Sequence, residues 1–494
     1  MEICVDTTAG AVRGWTDGAV ASFVGILYGE PTGGARRFHP PAAARPWPGI
    51  KDATRFGPIC PQVPLTFDYA WNPFIGVGAE TQSEDCLTLN VWTPAPNRGS
   101  SLPVLFWIHG GGFGAGSPAF VNTDGMALAW RKDVVVVSIT HRLNVFGHLY
   151  LGEIAGESYA NSSNVGHLDI VLALEWVRDN IGQFGGDPAN VTLFGQSGGS
   201  AKIGCLMAMP AARGLFHGAV MQSAVRMVGP TLEQAGEFTS QLLGKLDLST
   251  NEWRRLMELP AATLLQAASE VARERPRNFI EPGPVADGRA LPIPPIEAVL
   301  AGHAKDVRLM IGTCTNEVQV KTDGRRRVGE ARDLLGEPGT AIVERYAASA
   351  PDASDEDVAN QLATDWRFRI PSIRFAEAQL AAGQPHVYMY LFAWESALMP
   401  EVHALHSIDI PFWFGNTNKV AVTAHDPSSM VLERQVTDAL VSFAGTGQPG
   451  AAWPAYESGR RATMVFDRQC GVEDDPGRDD RLAWDRVPSE KLGV

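Results

Sequence analysis

Continuous apolar runs alternate along this chain with stretches whose apolar residues recur every three or four positions. Pro103 to His109 (PVLFWIH), Asp133 to Ile139 (DVVVVSI), Val191 to Phe194 (VTLF), Gly218 to Gln222 (GAVMQ), Val307 to Thr313 (VRLMIGT) and His386 to Phe392 (HVYMYLF) are short and rich in β-branched and aromatic residues. Runs of this kind are strands covered on both faces, as in a parallel sheet flanked by helices. Between them, Ile170, Leu174, Val177, Ile181 and Phe184 keep helical spacing and predict a helix from Asp169 to Phe184, with Asp169 available as its cap. A last helix is expected around 430–445. Strand and helix alternate, which gives an α/β class with a large, mostly parallel central sheet.

The other segments decorate that core. Residues 1 to 60 mix short apolar pieces with glycine turns, and predict an antiparallel ribbon (about 1–30) followed by a Pro- and Arg-rich loop from Pro31 to Pro48. Pro61 to Ser83 carries Phe67, Tyr69, Trp71 and Phe74 without a period, so it is expected as a loop that either covers a site or packs on the surface. Helical insertions are predicted over about 225–292, with the charged run ERPR at 274–277, and over about 325–384. No internal repeat or low-complexity linker divides the chain, and one domain over 1–494 is expected.

Composition narrows the class of partner. A formal net charge of −14 opposes binding to phosphate backbones or anionic lipid, so no nucleic acid is expected as a partner. No apolar run approaches the ~18 residues of a membrane span. The opening MEICVDTTAGAVRG is acidic where a secretory signal is basic and lacks its apolar stretch, which predicts a cytoplasmic protein. The six cysteines are scattered, with no CxxC pair and no histidine at ligand spacing, so no metal or cofactor is expected and the thiols should be free.

The chemistry gathers around VTLFGQSGGS at 191–200. Gly195 and Gly199 flank Ser197 in a turn between strand and helix so tight that side chains at those positions would collide with neighbouring elements. The serine hydroxyl would then stand clear of the sheet beside free helix N-terminal N–H groups. Parallel strands place their following loops at one sheet edge, which selects the partners. Glu317 follows the strand at 307–313, and His403 and His406 lie in the loop after 386–392. The order nucleophile, acid, histidine is that of an α/β-hydrolase triad. Histidine suits the base because its unperturbed pKa near 6.5 lets it take and return a proton at neutral pH. His109-Gly110-Gly111-Gly112-Phe113 directly follows a buried strand, and its glycines let backbone N–H groups face a substrate oxygen. The alternative, a phosphate-cradling loop, lacks the lysine that such a loop needs.

Several blocks in this order resemble the type-B carboxylesterase family: SEDCLTLNV at 83–91, HGGGF at 109–113, HRLNVFG at 141–147, NVGHLD at 164–169, FGGDPANVTLFGQSGGS at 184–200, Glu317 after GTCTN, and His406 in HSIDIPFWFGN. The resemblance spans almost the whole chain and implies the α/β-hydrolase fold and a cofactor-independent serine carboxylesterase working through an acyl-enzyme. It implies Ser197, Glu317 and His406 as the catalytic residues, with His406 preferred to His403 because SIDIPF follows it. It also implies Gly111, Gly112 and Gly198 as the oxyanion-hole amides, and Ser223 and Asp409 as a pair supporting the histidine. The partners would be a small-molecule ester and water. Carbamate or anilide hydrolysis by the same machinery is the alternative, and a non-catalytic binding protein on the same fold a remoter one. The chain departs from the family at Gly198, where alanine is usual, which keeps the amide donor and should loosen the elbow. GILYGEP at 25–31 and CTNEVQV at 314–320 also depart. Cys60 and Cys86 resemble the family's first disulfide pair but are expected reduced in a cytoplasmic protein.

Overall fold

The apolar runs condense into one sheet. The computed structural model describes residues 1–63, 81–96, 99–225, 227–274, 282–319 and 323–493. Among them are the strands β1 (Glu2–Thr7), β2 (Gly10–Thr16), β3 (Ala21–Leu27), β4 (Ile50–Asp52), β5 (Thr88–Thr93), β6 (Leu102–Ile108) and β7 (Val135–Ile139). These are followed by β8 (Gly186–Gln196), β9 (Gly218–Gln222), β10 (Arg308–Cys314), β11 (Val387–Phe392), β12 (Ala462–Phe466) and β13 (Gly471–Asp474). The sheet order is β1-β2-β3-β5-β7-β6-β8-β9-β10-β11-β12-β13, with β4 beside β2. From β7 to β12 every neighbouring pair is parallel. Pairing turns antiparallel toward both edges, through β1, β2, β3, β5 and β7 on one side and β12 with β13 on the other.

The central strands carry apolar residues on both faces because each face has its own core. Phe106, Ile108, Val137, Leu193, Met221 and Ile311 join one buried cluster, while Leu105, Trp107, Val136, Phe194, Val220 and Met310 join the other. This period-two division explains why their sequences read as continuous rather than alternating runs.

Three features differ from the sequence expectations. The helix is Val165–Asn180, continued by a 3₁₀ turn Ile181–Phe184, so Asp169 lies inside it rather than at its cap. Asp169 is fully buried, and its carboxylate accepts from Arg142 Nε at 2.8 Å, Arg142 Nη2 at 2.6 Å and the Arg142 backbone N–H at 2.9 Å. A charge at that depth requires such pairing. β5 was not predicted because Thr88, Asn90 and Thr93 interrupt its apolar pattern; its Asn90 Nδ2 instead donates to Ser138 Oγ at 3.0 Å inside the sheet. β12 and β13 extend the sheet beyond the helix Pro427–Thr446, the last element expected.

Residues 225–292 contain the helices Leu232–Lys245 and Ala261–Glu274, and 325–384 is covered by helices from Gly324 to Ala381 with a π-helical turn at Asp365–Arg369. Most of the aromatic loop, including Phe67, Tyr69, Trp71 and Phe74, and most of ERPR lie outside the described residues. No helix among the described residues is long and apolar enough to cross a membrane. The parallel strands finish at one edge: β6 just before His109, β8 before Ser197, β9 before Ser223, β10 at Cys314 shortly before Glu317, and β11 before the loop bearing His406.

Candidate active site

At the end of β8 the chain reverses through Ser197 into the helix Gly198–Ala208. Ser197 takes φ 57° and ψ −121°, a conformation that L-residues avoid, and its N–H donates to Gln222 O at 2.8 Å. The flanking glycine is a steric requirement, since a Cβ on Gly199 would lie 2.0 Å from Ile108 O on the neighbouring strand. Ser200 Oγ donates to Gly195 O at 2.6 Å and reaches Gln222 O at 2.7 Å, which ties the turn to both β8 and β9.

The histidine and the acid meet across two loops. Asn316 N donates to Ala404 O at 3.1 Å, and Asn316 and Leu405 form an isolated parallel bridge. This places His406 Nδ1 2.5 Å from Glu317 Oε2. Glu317 is buried, and its other oxygen accepts from Cys314 N at 2.7 Å, so both carboxylate oxygens are engaged. An anion accepting from Nδ1–H fixes the tautomer that leaves Nε2 as the acceptor. Gln196 Nε2 donates toward His406 Nε2 at 3.2 Å, and the Phe368 ring packs 4.8 Å from the imidazole. Ser197 Oγ makes no hydrogen bond among the described residues, a common state of unliganded hydrolytic sites, whose contacts tighten on substrate binding. His403 is exposed and pairs instead with Glu395 at 3.0 Å.

Facing the serine is the glycine loop after β6. Gly111 and Gly112 have φ 91° and 61°. A Cβ on Gly198 would stand 2.3 Å from Gly112 O and 2.4 Å from Gly112 N, so the loop rests directly on the Gly198 backbone. Gly198, expected to loosen the elbow, is instead packed tightly against this loop. Gly112 is thus brought against Gly198, and a Cβ on Gly110 would stand 3.0 Å from Gln196 O and 3.6 Å from Ser197 Cβ.

Ser223 follows β9, and Asp409 lies close enough to Glu317 and His406 for their charges to act on its carboxyl. Ser223 is buried, and its Oγ is hydrogen-bonded to neither His406 nor Glu317. Asp409 Oδ2 accepts from Trp413 Nε1 at 3.1 Å and from Tyr390 OH at 3.4 Å, while Oδ1 has no hydrogen-bond partner among the described residues. Burial first, and then the Glu317 charge, push the Asp409 carboxyl up to about 6. Cys60 and Cys86 are both buried and free. Among the described residues no three His, Cys, Asp or Glu side chains converge as metal ligands.

Gln196, Ser200 and Phe368 contact the site without being among the residues that the sequence motifs single out. Gln196 and Ser200 stand within the GQSGGS motif, where proximity alone was a usable signal. Phe368 comes from the π-helical turn far along the chain, and no local pattern points to it.

The chain matches the carboxylesterase family model over residues 2–480. It is 35% identical to a para-nitrobenzyl esterase of Bacillus subtilis, with 97% of each chain covered. It is 32% identical to a fumonisin B1 esterase of Sphingopyxis macrogoltabida, over 94% of this chain and 86% of that one. A solved carboxylesterase of Geobacillus stearothermophilus superposes with a TM-score of 0.87 at 37% identity, over 97% and 99% of the two chains. The fold is accordingly that of the α/β-hydrolases. With its family model matched almost end to end and relatives aligned at this identity, the chain belongs to the carboxylesterase family.

Proposed function

We propose that Ser197, His406 and Glu317 carry out the carboxylic-ester hydrolysis of this enzyme. The observation that carries the assignment is the 2.5 Å pairing of His406 Nδ1 with buried Glu317 beside a serine held in a strained turn. His406 Nε2 takes the Ser197 proton as Oγ attacks the ester carbonyl, and the tetrahedral oxyanion is held by the N–H groups of Gly111, Gly112 and Gly198. Protonated His406 then gives its proton to the leaving alcohol, and a water activated by the same nitrogen cleaves the acyl-enzyme. Glu317 stabilises the imidazolium without itself taking the proton. Ser223 and Asp409 support the histidine from behind, and no cofactor takes part. The substrate is a small-molecule ester.

Ser197→Ala should keep the fold and lower kcat by roughly 10³- to 10⁶-fold, because binding and the oxyanion hole survive without the nucleophile. A fluorophosphonate should label wild type at Ser197 alone. Undiminished turnover in the alanine variant contradicts the assignment.

We read residues 1–494 as one catalytic domain with the ribbon at about 1–30 and helical insertions at about 225–292 and 325–384. We also place the enzyme in the cytoplasm, where cysteines are kept as thiols. Protein purified without reductant should titrate with six thiols when denatured; four would indicate a Cys60–Cys86 bridge and an oxidising compartment.

A further inference from the structure

Behind the glycine loop lies a buried lysine that the hydrolytic reading does not use. Lys202 sits in the helix Gly198–Ala208, is fully buried, and donates from Nζ to His109 O at 3.1 Å. No carboxylate pairs with it among the described residues. The groups facing it are His109 after β6, His141 after β7, His148, His167 in the helix Val165–Asn180, and Cys205 on its own helix. None supplies a compensating negative charge. Burial pushes the four histidines down, and Lys202 itself down to about 7. His141 and His148 each donate from Nδ1 to a carbonyl, Arg142 O and Ser163 O at 2.9 Å, which leaves each Nε2 a buried acceptor without a partner.

An unpaired ammonium at this depth costs stability that a methionine of similar shape would not. Its position suggests what the cost serves. The His109 carbonyl immediately precedes Gly110–Gly112, and Gly112 rests on Gly198 at the start of the same helix. One helix therefore grips the glycine loop at two points, by backbone contact at Gly198 and by hydrogen bond from Lys202.

We propose that Lys202 is a positioning residue of the oxyanion hole: anchored on the His109 carbonyl, it fixes the path of Gly110–Gly112 and adds positive potential behind the amides that receive the oxyanion. The inference rests on the assignment of those amides in the proposed function. An ammonium on the His109 carbonyl places positive potential at the root of the loop that carries the Gly111 and Gly112 amides. Negative charge collects on the substrate oxygen only as Ser197 adds, so the interaction strengthens in the transition state and acts on kcat rather than on ester binding.

The test compares wild type with Lys202→Met, which removes donor and charge but keeps shape, and Lys202→Gln, which keeps an N–H donor without charge. Steady-state ester hydrolysis and inhibition by an alkyl trifluoromethyl ketone, which forms a tetrahedral adduct on the serine, are measured on each. Lys202→Met should lose about 10- to 100-fold in kcat with KM within about 2-fold, and ketone affinity should fall in parallel. Lys202→Gln should fall between the two. Kcat and ketone affinity equal to wild type in Lys202→Met, or a change confined to thermal stability, overturns the proposal. Should Lys202→Met not fold, Lys202→Gln carries the test, and wild-type values there overturn it as well. Failure of the underlying assignment looks different: wild type itself would then hydrolyse esters without fluorophosphonate labelling of Ser197.

Discussion

Ser197 is held at φ 57° because its N–H bonds Gln222 O and its neighbours pack against β6, and such a conformation costs on the order of 1–3 kcal/mol that the surrounding fold must supply. The return is placement: Ser197 stands at the sheet edge, next to the loop on which Gly198 packs. That loop lies so close to Gly198 that a methyl group has no room. Gly198→Ala would set Cβ against Gly112 N and O at 2.4 and 2.3 Å, both backbone atoms that cannot rotate away. The loop must retreat, and the amides proposed to receive the oxyanion move with it. Kcat should drop by about 10- to 100-fold with KM little changed, less than the ~10³ that loss of a whole donor can cost. Steady-state kinetics on one ester decide it; a variant as fast as wild type would show that the loop adjusts freely.

At the scale of elements, the site is a set of strand ends fastened to one another. The loops after β10 and β11 are joined by the Asn316–Leu405 bridge, so Glu317 and His406 arrive at each other as a consequence of backbone pairing. The turn between β8 and its helix is fastened by Ser200, whose Oγ serves Gly195 O and Gln222 O while the residue is fully buried. Ser200→Ala takes the hydroxyl donor from Gly195 O, while Gln222 O keeps the Ser197 N–H, and a buried carbonyl left short of a donor costs about 1–3 kcal/mol. A lower unfolding midpoint in denaturant is the expected result, together with a several-fold loss of kcat as the turn loosens. An unchanged midpoint would mean that water takes the place of the hydroxyl.

For the molecule as a whole, buried titratable groups set how stability depends on pH. Burial lowers His109 to about 3 and His148 to about 4, and holds His141 and His167 well below 6.5. Between these values and the unfolded 6.5, the unfolded chain binds more protons than the folded one, so stability falls as pH drops through that window. Each histidine contributes a slope of about 1.4 kcal/mol per pH unit there. Lys202, lowered from 10.5 to about 7, has the same sign between those two values: its burial costs most below 7 and the cost fades as pH rises. Asp409, Asp169 and Asp365 are pushed upward by burial and act in the opposite sense, Asp409 from about 6 down to 3.8. The four histidines outnumber the three carboxyls. Tm should therefore climb from pH 5 to pH 8, and a maximum near pH 5 would contradict the burial of these groups.

Much of this architecture is legible in the chain because burial on two sides leaves a direct mark. A strand covered by helices on both faces must be apolar at every position, and β6, β7, β9, β10 and β11 all carry that signature. A strand-to-helix turn that touches its neighbours must carry glycines, and GQSGGS does. Sequence alone likewise determined which strand ends could hold a nucleophile, an acid and a base, since loops following parallel strands share one edge. What it did not determine is every contact made by a polar residue whose partner is remote. Asp169 reads as a cap but is held inside its helix by Arg142; β5 reads as broken but hides Asn90 against Ser138; Phe368 reaches His406 from a π-helical turn. Lys202 has the look of an ordinary helix lysine, and only the packing of its helix beneath the glycine loop takes it out of water and onto the His109 carbonyl. Apolar burial is written in local periodicity because it acts on whole faces of an element. The pairing of a buried polar group depends on one distant atom, and only the tertiary structure specifies which atom that is.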